Sequence, residues 1–308
     1  MIIIFQILKM QMLADRKLWT KPLAGSVRHF VKPFISYHST KNRGEFTHYG
    51  DQMLVLLKSV SPASDFDINH FAESWKEFFK DYTGYIDQAT KATLENFSEG
   101  KGPGDAGSTS SDLSGASRIA PLIYRYREDL GKMVRYSRAQ TAMTHNNPYI
   151  VELSEFIARV IWKVLRGSTP SAALKEVLEE NFKREPFTER VTDGMDSADM
   201  DTRKAISDFG QMCEVEAAFP STVHLIAKYE NDLKTALVEN AMAGGDSAAR
   251  GMITGLILGA HLGYDAIPGN WLSDLKYYQE ITQLLENIDR GKKLNSEKTS
   301  EVLETSEV

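Results

Sequence analysis

The chain has one cysteine, Cys213, in 308 residues. A lone thiol excludes an intrachain disulfide and leaves no thiolate zinc site to expect, the usage of a reducing compartment. No base stands beside Cys213 in the sequence, so it reads as a small buried hydrophobe rather than a nucleophile. Positive charge is also in deficit. With 36 Lys and Arg against 42 Asp and Glu the net charge is −6, which argues against a nucleic-acid partner, because phosphate binding needs clustered cations. No apolar run reaches the ~20 residues that a bilayer span requires, so no membrane partner is expected. The apolar start, Met1 to Leu8, lacks a basic flank ahead of it and a small-residue cleavage site behind it; it is not read as a signal peptide, and a cytoplasmic location is expected. Phosphate-loop, nucleophile-elbow and His-Glu-x-x-His patterns are all missing, which removes support for the common enzyme classes built on them.

What the sequence does have is centred on Asn240 to Leu272. Gly251, Gly255, Gly259 and Gly263 recur every four residues and share one helical face, where a neighbouring helix can approach closely. Four glycines at helical spacing cost ~3–4 kcal/mol relative to alanine, so packing or function must offset them. Met252, Ile253, Leu256, Ile257, Leu258 and Leu262 make the segment apolar nearly all round, the pattern of a buried central helix. Just ahead of it, Gly244-Gly245-Asp246-Ser247 supplies a flexible turn, an N-cap carboxylate and unpaired backbone N–H groups, a corner able to hold an anion or present a metal-ligating acid.

The remaining periodicity is helical too. A helix is expected from about Tyr49 to Val60, another capped by Asp67 with Phe71, Trp75, Phe78 and Phe79 inward, and a third starting at Gly84. Lys101 to Ser117 reads as a long polar loop. Asn147 with Pro148 and Thr169 with Pro170 mark two further helix starts. His145 has no metal-spaced partner and reads as a hydrogen-bonded structural histidine. Asp193, Asp196, Asp199 and Asp201 lack EF-hand spacing and read as a capped acidic loop. A turn is expected at Ala217-Ala218-Phe219-Pro220. Trp271 to Ile288 reads as one closing helix.

Three of these stretches together resemble the ADP-ribosylglycohydrolase family, in its J1-crystallin-like branch. Gly244, Gly245, Asp246 and Ser247 match the start of the family's Gly-Gly-Asp-Ser-Asp-Thr, with Ala248 and Ala249 in place of the last two residues. Arg118, Ile119, Ala120 and Pro121 match its Met-Arg-Ile-Ala-Pro, with Ser117 for methionine. Gln52 and Met53 match the end of Thr-Asp-Asp-Thr-Gln-Met; in that register Tyr49 and Gly50 replace the two metal-binding aspartates, and a one-residue slip would bring Asp51 to the metal position.

The resemblance implies an all-α, single-domain orthogonal helical bundle over residues 44–290, with 1–43 an atypical or replaced start; residues 291–308, polar and charged, read as a disordered tail. It further implies magnesium-assisted cleavage of an ADP-ribosyl glycosidic bond, with Asp51 and Asp246 as catalytic carboxylates and Asp246, Asp51 and Ser247 as metal ligands. Gly115, Ser117, Arg118, Gly244 and Gly245 would then contact ADP-ribose or an ADP-ribosylated substrate. So reduced a ligand set would hold magnesium weakly or not at all, since the ion wants six oxygens in octahedral array. Three readings stay open: a catalytically degenerate protein in a crystallin-like structural role, a non-catalytic ADP-ribose binder, and a working hydrolase with a modified site.

Overall fold

A computed structural model describes residues 37–62 and 64–305, with side chains through residue 291. Most of the segment expected to be atypical, residues 1–36, lies outside the described residues. Among the described residues no strand forms; isolated bridges pair Ser108 with His145 and Asp112 with Glu214. The main core runs from Phe46 to Ile288, and Ile206, Leu225 and Ala243 form a small second cluster.

Helix starts follow their caps. The side chains of Asp67, Asn147, Thr169, Asp201 and Asp246 each accept from a backbone N–H in the first turn of the helix that follows, satisfying donors that a helix end otherwise leaves unpaired. The central helix is Ser247–Leu262, with Gly251, Gly255 and Gly259 buried in it. It packs against Leu233–Met242, Val215–Lys228 and Pro148–Val164. Gly263 departs from the expected register. It ends the helix at φ +80° with open space where a Cβ would sit, so conformation rather than packing accounts for this fourth glycine.

Elsewhere tertiary packing overrides local signals. No turn forms at Pro220; the helix Val215–Lys228 runs through it. A Cβ on Gly194 would come within 2.7 Å of the Pro220 carbonyl oxygen and 2.5 Å of Val223 Cβ. The Phe187–Asp196 helix therefore lies tightly against this one, and the buried contact offsets the proline's missing N–H. The helix expected from Gly84 begins at Gln88, behind the cap of Asp87 on Thr90 N. The acidic loop is mostly helix: Phe187–Asp196, a 3₁₀ turn Ser197–Asp199, and Asp201 as the cap of Thr202–Phe209. The closing helix is split into Gly269–Ser273 and Tyr278–Thr305, and the second piece carries helical backbone through most of the segment expected to be disordered.

Candidate functional site

The loop ahead of the Arg-Ile-Ala-Pro segment, read as polar, is packed rather than solvated from Ala106 to Ser108 and again from Leu113. Ser108 exchanges backbone bonds with Thr144 and Asn146 at 3.0 and 2.7 Å, and a Cβ on Gly107 would collide with the Ala142 carbonyl at 2.0 Å. Further on, Leu113 N donates to Cys213 O and Val215 N to Ser111 O, both at 2.9 Å. A third segment closes on these two where Asp246 N donates to Gln211 O at 3.0 Å. That contact requires glycine at 245, whose φ is +67° and whose Cβ would lie 2.0 Å from Gln211 O. Arg250, buried, braces the same turn by donating to Asn240 Oδ1 and Gly244 O.

Three backbone segments thus deliver Asp112, Cys213 and Asp246 to one place, with a ligand atom from each lying within 4.8 Å of the others. Asp112 Oδ1 accepts from Ser114 N at 2.8 Å. Asp246 Oδ1 accepts from Ala248 N at 3.2 Å, and its Oδ2 accepts from the Tyr49 hydroxyl at 3.3 Å. Burial, then the charges of Asp246, Asp112 and Asp87, push the Tyr49 phenol well above its usual range, so it stays a donor. Burial and the neighbouring Asp246 together push the Asp112 carboxyl up to about 6. Burial and the same two carboxylates also raise the Cys213 thiol.

Of the residues proposed from the sequence, Asp246 and its Gly244-Gly245 turn stand at this corner, with Ser247 the first residue of the helix behind it. Asp51 is engaged elsewhere: it lies in the Tyr49-bearing helix His48–Val60, 6% exposed, ion-paired to Lys41 and accepting from the Tyr82 hydroxyl at 2.7 Å. Burial raises its carboxyl despite both partners. Gly115, Ser117 and Arg118 are buried. Gly115 makes room for the His145 ring, which a Cβ would approach to 2.6 Å. Ser117 donates to Ser114 O at 3.0 Å. Arg118 spends its guanidinium on Gln52 Oε1 and Thr144 Oγ1. His145 is the structural histidine expected, held by Thr144 and Ser114 and lowered to about 3 by burial and then Arg118. Ala248 is half-buried at the corner, and Ala249 is in the core.

Two members of the cluster escaped the sequence reading. Cys213, taken for a core residue, is half-buried beside two acids. Asp112 had only its place in a Ser-rich loop just ahead of a matched motif to mark it.

A helical domain with an acidic corner at the N-terminus of a glycine-bearing central helix is the class this geometry defines. The family model of ADP-ribosylglycohydrolases matches residues 8–298, and the chain belongs to that family. Crystallin J1A of Tripedalia cystophora is 23% identical over 279 residues, covering 85% of this chain and 83% of the crystallin. The ADP-ribosyl-[dinitrogen reductase] glycohydrolase of Rhodospirillum rubrum is 22% identical over 247 residues, 77% of this chain and 76% of that protein. A solved ADP-ribosylglycohydrolase-related protein complex shares the fold with a TM-score of 0.64 and 20% identity, over 93% of this chain and 97% of that one. No helix among the described residues is long and apolar enough to cross a membrane.

The side chains present do not fit a magnesium pair. Tyr49 carries a protonated phenol, Gly50 and Ala248 offer no side-chain oxygen, and the one nearby acid of the first motif, Asp51, is neutralised by Lys41. Magnesium prefers oxygen ligands in octahedral array, and here a thiol takes one of the three converging positions.

Proposed function

We propose that this chain is a non-catalytic member of its family, with a crystallin-like structural role and without magnesium-dependent cleavage of ADP-ribosyl bonds. What supports the reading is the state of Asp51. A carboxylate that must polarise a leaving group or hold a cation has to be free to reach it. Asp51 is instead buried, paired with Lys41 and hydrogen-bonded to Tyr82. The second support is Tyr49, whose hydroxyl lies against Asp246 where the family motif has an aspartate. ADP-ribose as a partner fares no better, because Arg118, the one cation among its proposed contacts, is 1% exposed and turned inward.

The test is release of ADP-ribose from modified arginine and modified serine peptides at saturating magnesium. No turnover above the uncatalysed rate is expected. Turnover that chelation and Asp246→Ala both abolish would overturn the proposal.

A further inference from the structure

We propose that Asp112, Cys213 and Asp246 form a site for a single thiophilic divalent cation, zinc in the first instance, in place of the magnesium that the family relationship implies. A lone cysteine cannot build a multi-thiolate site, and two acids alone would attract hard cations without selecting among them. Here one sulfur and two carboxylates converge from three separate segments.

The spacing fits. Zinc bonds of ~2.3 Å to sulfur and ~2.1 Å to oxygen place tetrahedral ligands roughly 3.4–3.6 Å apart, and the three atoms already lie within 4.8 Å of one another. Each carboxylate is also oriented from behind, Asp112 by Ser114 N and Asp246 by Ala248 N and the Tyr49 hydroxyl. Partners of that kind fix the direction of a ligating oxygen. The backbone bonds from Leu113 to Cys213 and from Asp246 to Gln211 hold the three segments in register.

Charge points the same way. Two carboxylates and a thiol crowd a half-buried corner, and a divalent cation among them would offset the negative charge they bring together. On binding, a metal–sulfur bond forms, the Cys213 S–H bond breaks, and its proton leaves to solvent. The ligand set then carries three negative charges against two positive, with one tetrahedral position open. Thiolate selects zinc and cobalt over magnesium, so the preference of this site is the reverse of an all-oxygen one.

The test uses the full chain, reduced and stripped of metal, titrated with cobalt. Because Cys213 is the one cysteine in the sequence, any sulfur-to-cobalt charge-transfer band belongs to it. The expected result is a near-ultraviolet band saturating at one cobalt per chain. Stoichiometric zinc should remove it, whereas a ~100-fold excess of magnesium should not. Cys213→Ser should abolish the band, and Asp112→Asn and Asp246→Asn should each weaken cobalt binding ~10-fold or more, with circular dichroism confirming that each variant is folded. Absence of the band in the wild type would overturn the proposal. So would displacement of cobalt by magnesium, or a band unaffected by both aspartate substitutions, which would mark adventitious binding to the thiol. None of these readouts depends on turnover.

Discussion

Replacing Asp112 by Asn should make the protein more stable at neutral pH, by an amount that vanishes in acid. In the folded chain burial and the Asp246 charge move the Asp112 carboxyl from its ordinary 3.8 to about 6. The stability contributed by its protonated form is present in full below about pH 4 and is lost as pH rises through about 6. The difference between 3.8 and about 6 corresponds to ~3 kcal/mol; partial exposure of the corner reduces this to about 1–3 kcal/mol. Asn does not ionise, and its side-chain oxygen can still accept from Ser114 N. The variant should therefore gain about 1–3 kcal/mol on the wild type between pH 4 and pH 7.5. Urea denaturation across that range, with chelator present, measures the gain. Asp246→Asn, which removes the second cause and leaves burial, should shrink the effect. A difference between Asp112→Asn and wild type that is flat with pH, or that grows in acid, would refute the electrostatic reading of the corner.

Three other substitutions test the surrounding structure. Lys41→Met leaves the buried Asp51 with the Tyr82 hydroxyl as its remaining side-chain donor and should cost about 1–3 kcal/mol at pH 7 in urea denaturation; because burial already raises Asp51, the cost should fall as acid protonates it. Gly245→Ala combines a φ of +67° with a clash against Gln211 O and should lower stability by at least ~2 kcal/mol, whereas Gly263→Ala, strained but unobstructed, should cost ~1 kcal/mol; equal melting temperatures for the two would count against the close approach of Gln211 to Gly245. Arg118→Lys loses the fork that spans Gln52 and Thr144 and should destabilise by about 2–4 kcal/mol, and a fully stable variant would contradict the inward-facing role.

Local chemistry in the sequence was enough for much of the fold. A cap such as Asp67 or Asn147 needs only its own side chain and an N–H two or three residues on, and a four-residue apolar or glycine register needs only the helical period. For the same reason Asp246 at its Gly-Gly turn was readable as the corner of a site, since cap, turn and helix are all contiguous. Where the reading failed, a distant partner decided the outcome. Pro220 lies inside a helix against which a second helix packs closely at Gly194, and Asp51 is taken out of the site by Lys41, from a segment with no periodic signal. Asp112 and Cys213 meet through one pair of backbone bonds between irregular loops, Leu113 N to Cys213 O and Val215 N to Ser111 O. Such bonds depend on where the helices set the loop ends, and a carboxylate or thiol in a loop carries no mark of what will face it. The sequence by itself therefore determined the capped helix starts, the central glycine-bearing helix and the family; which acids are neutralised and which join a thiol, only the tertiary structure decided.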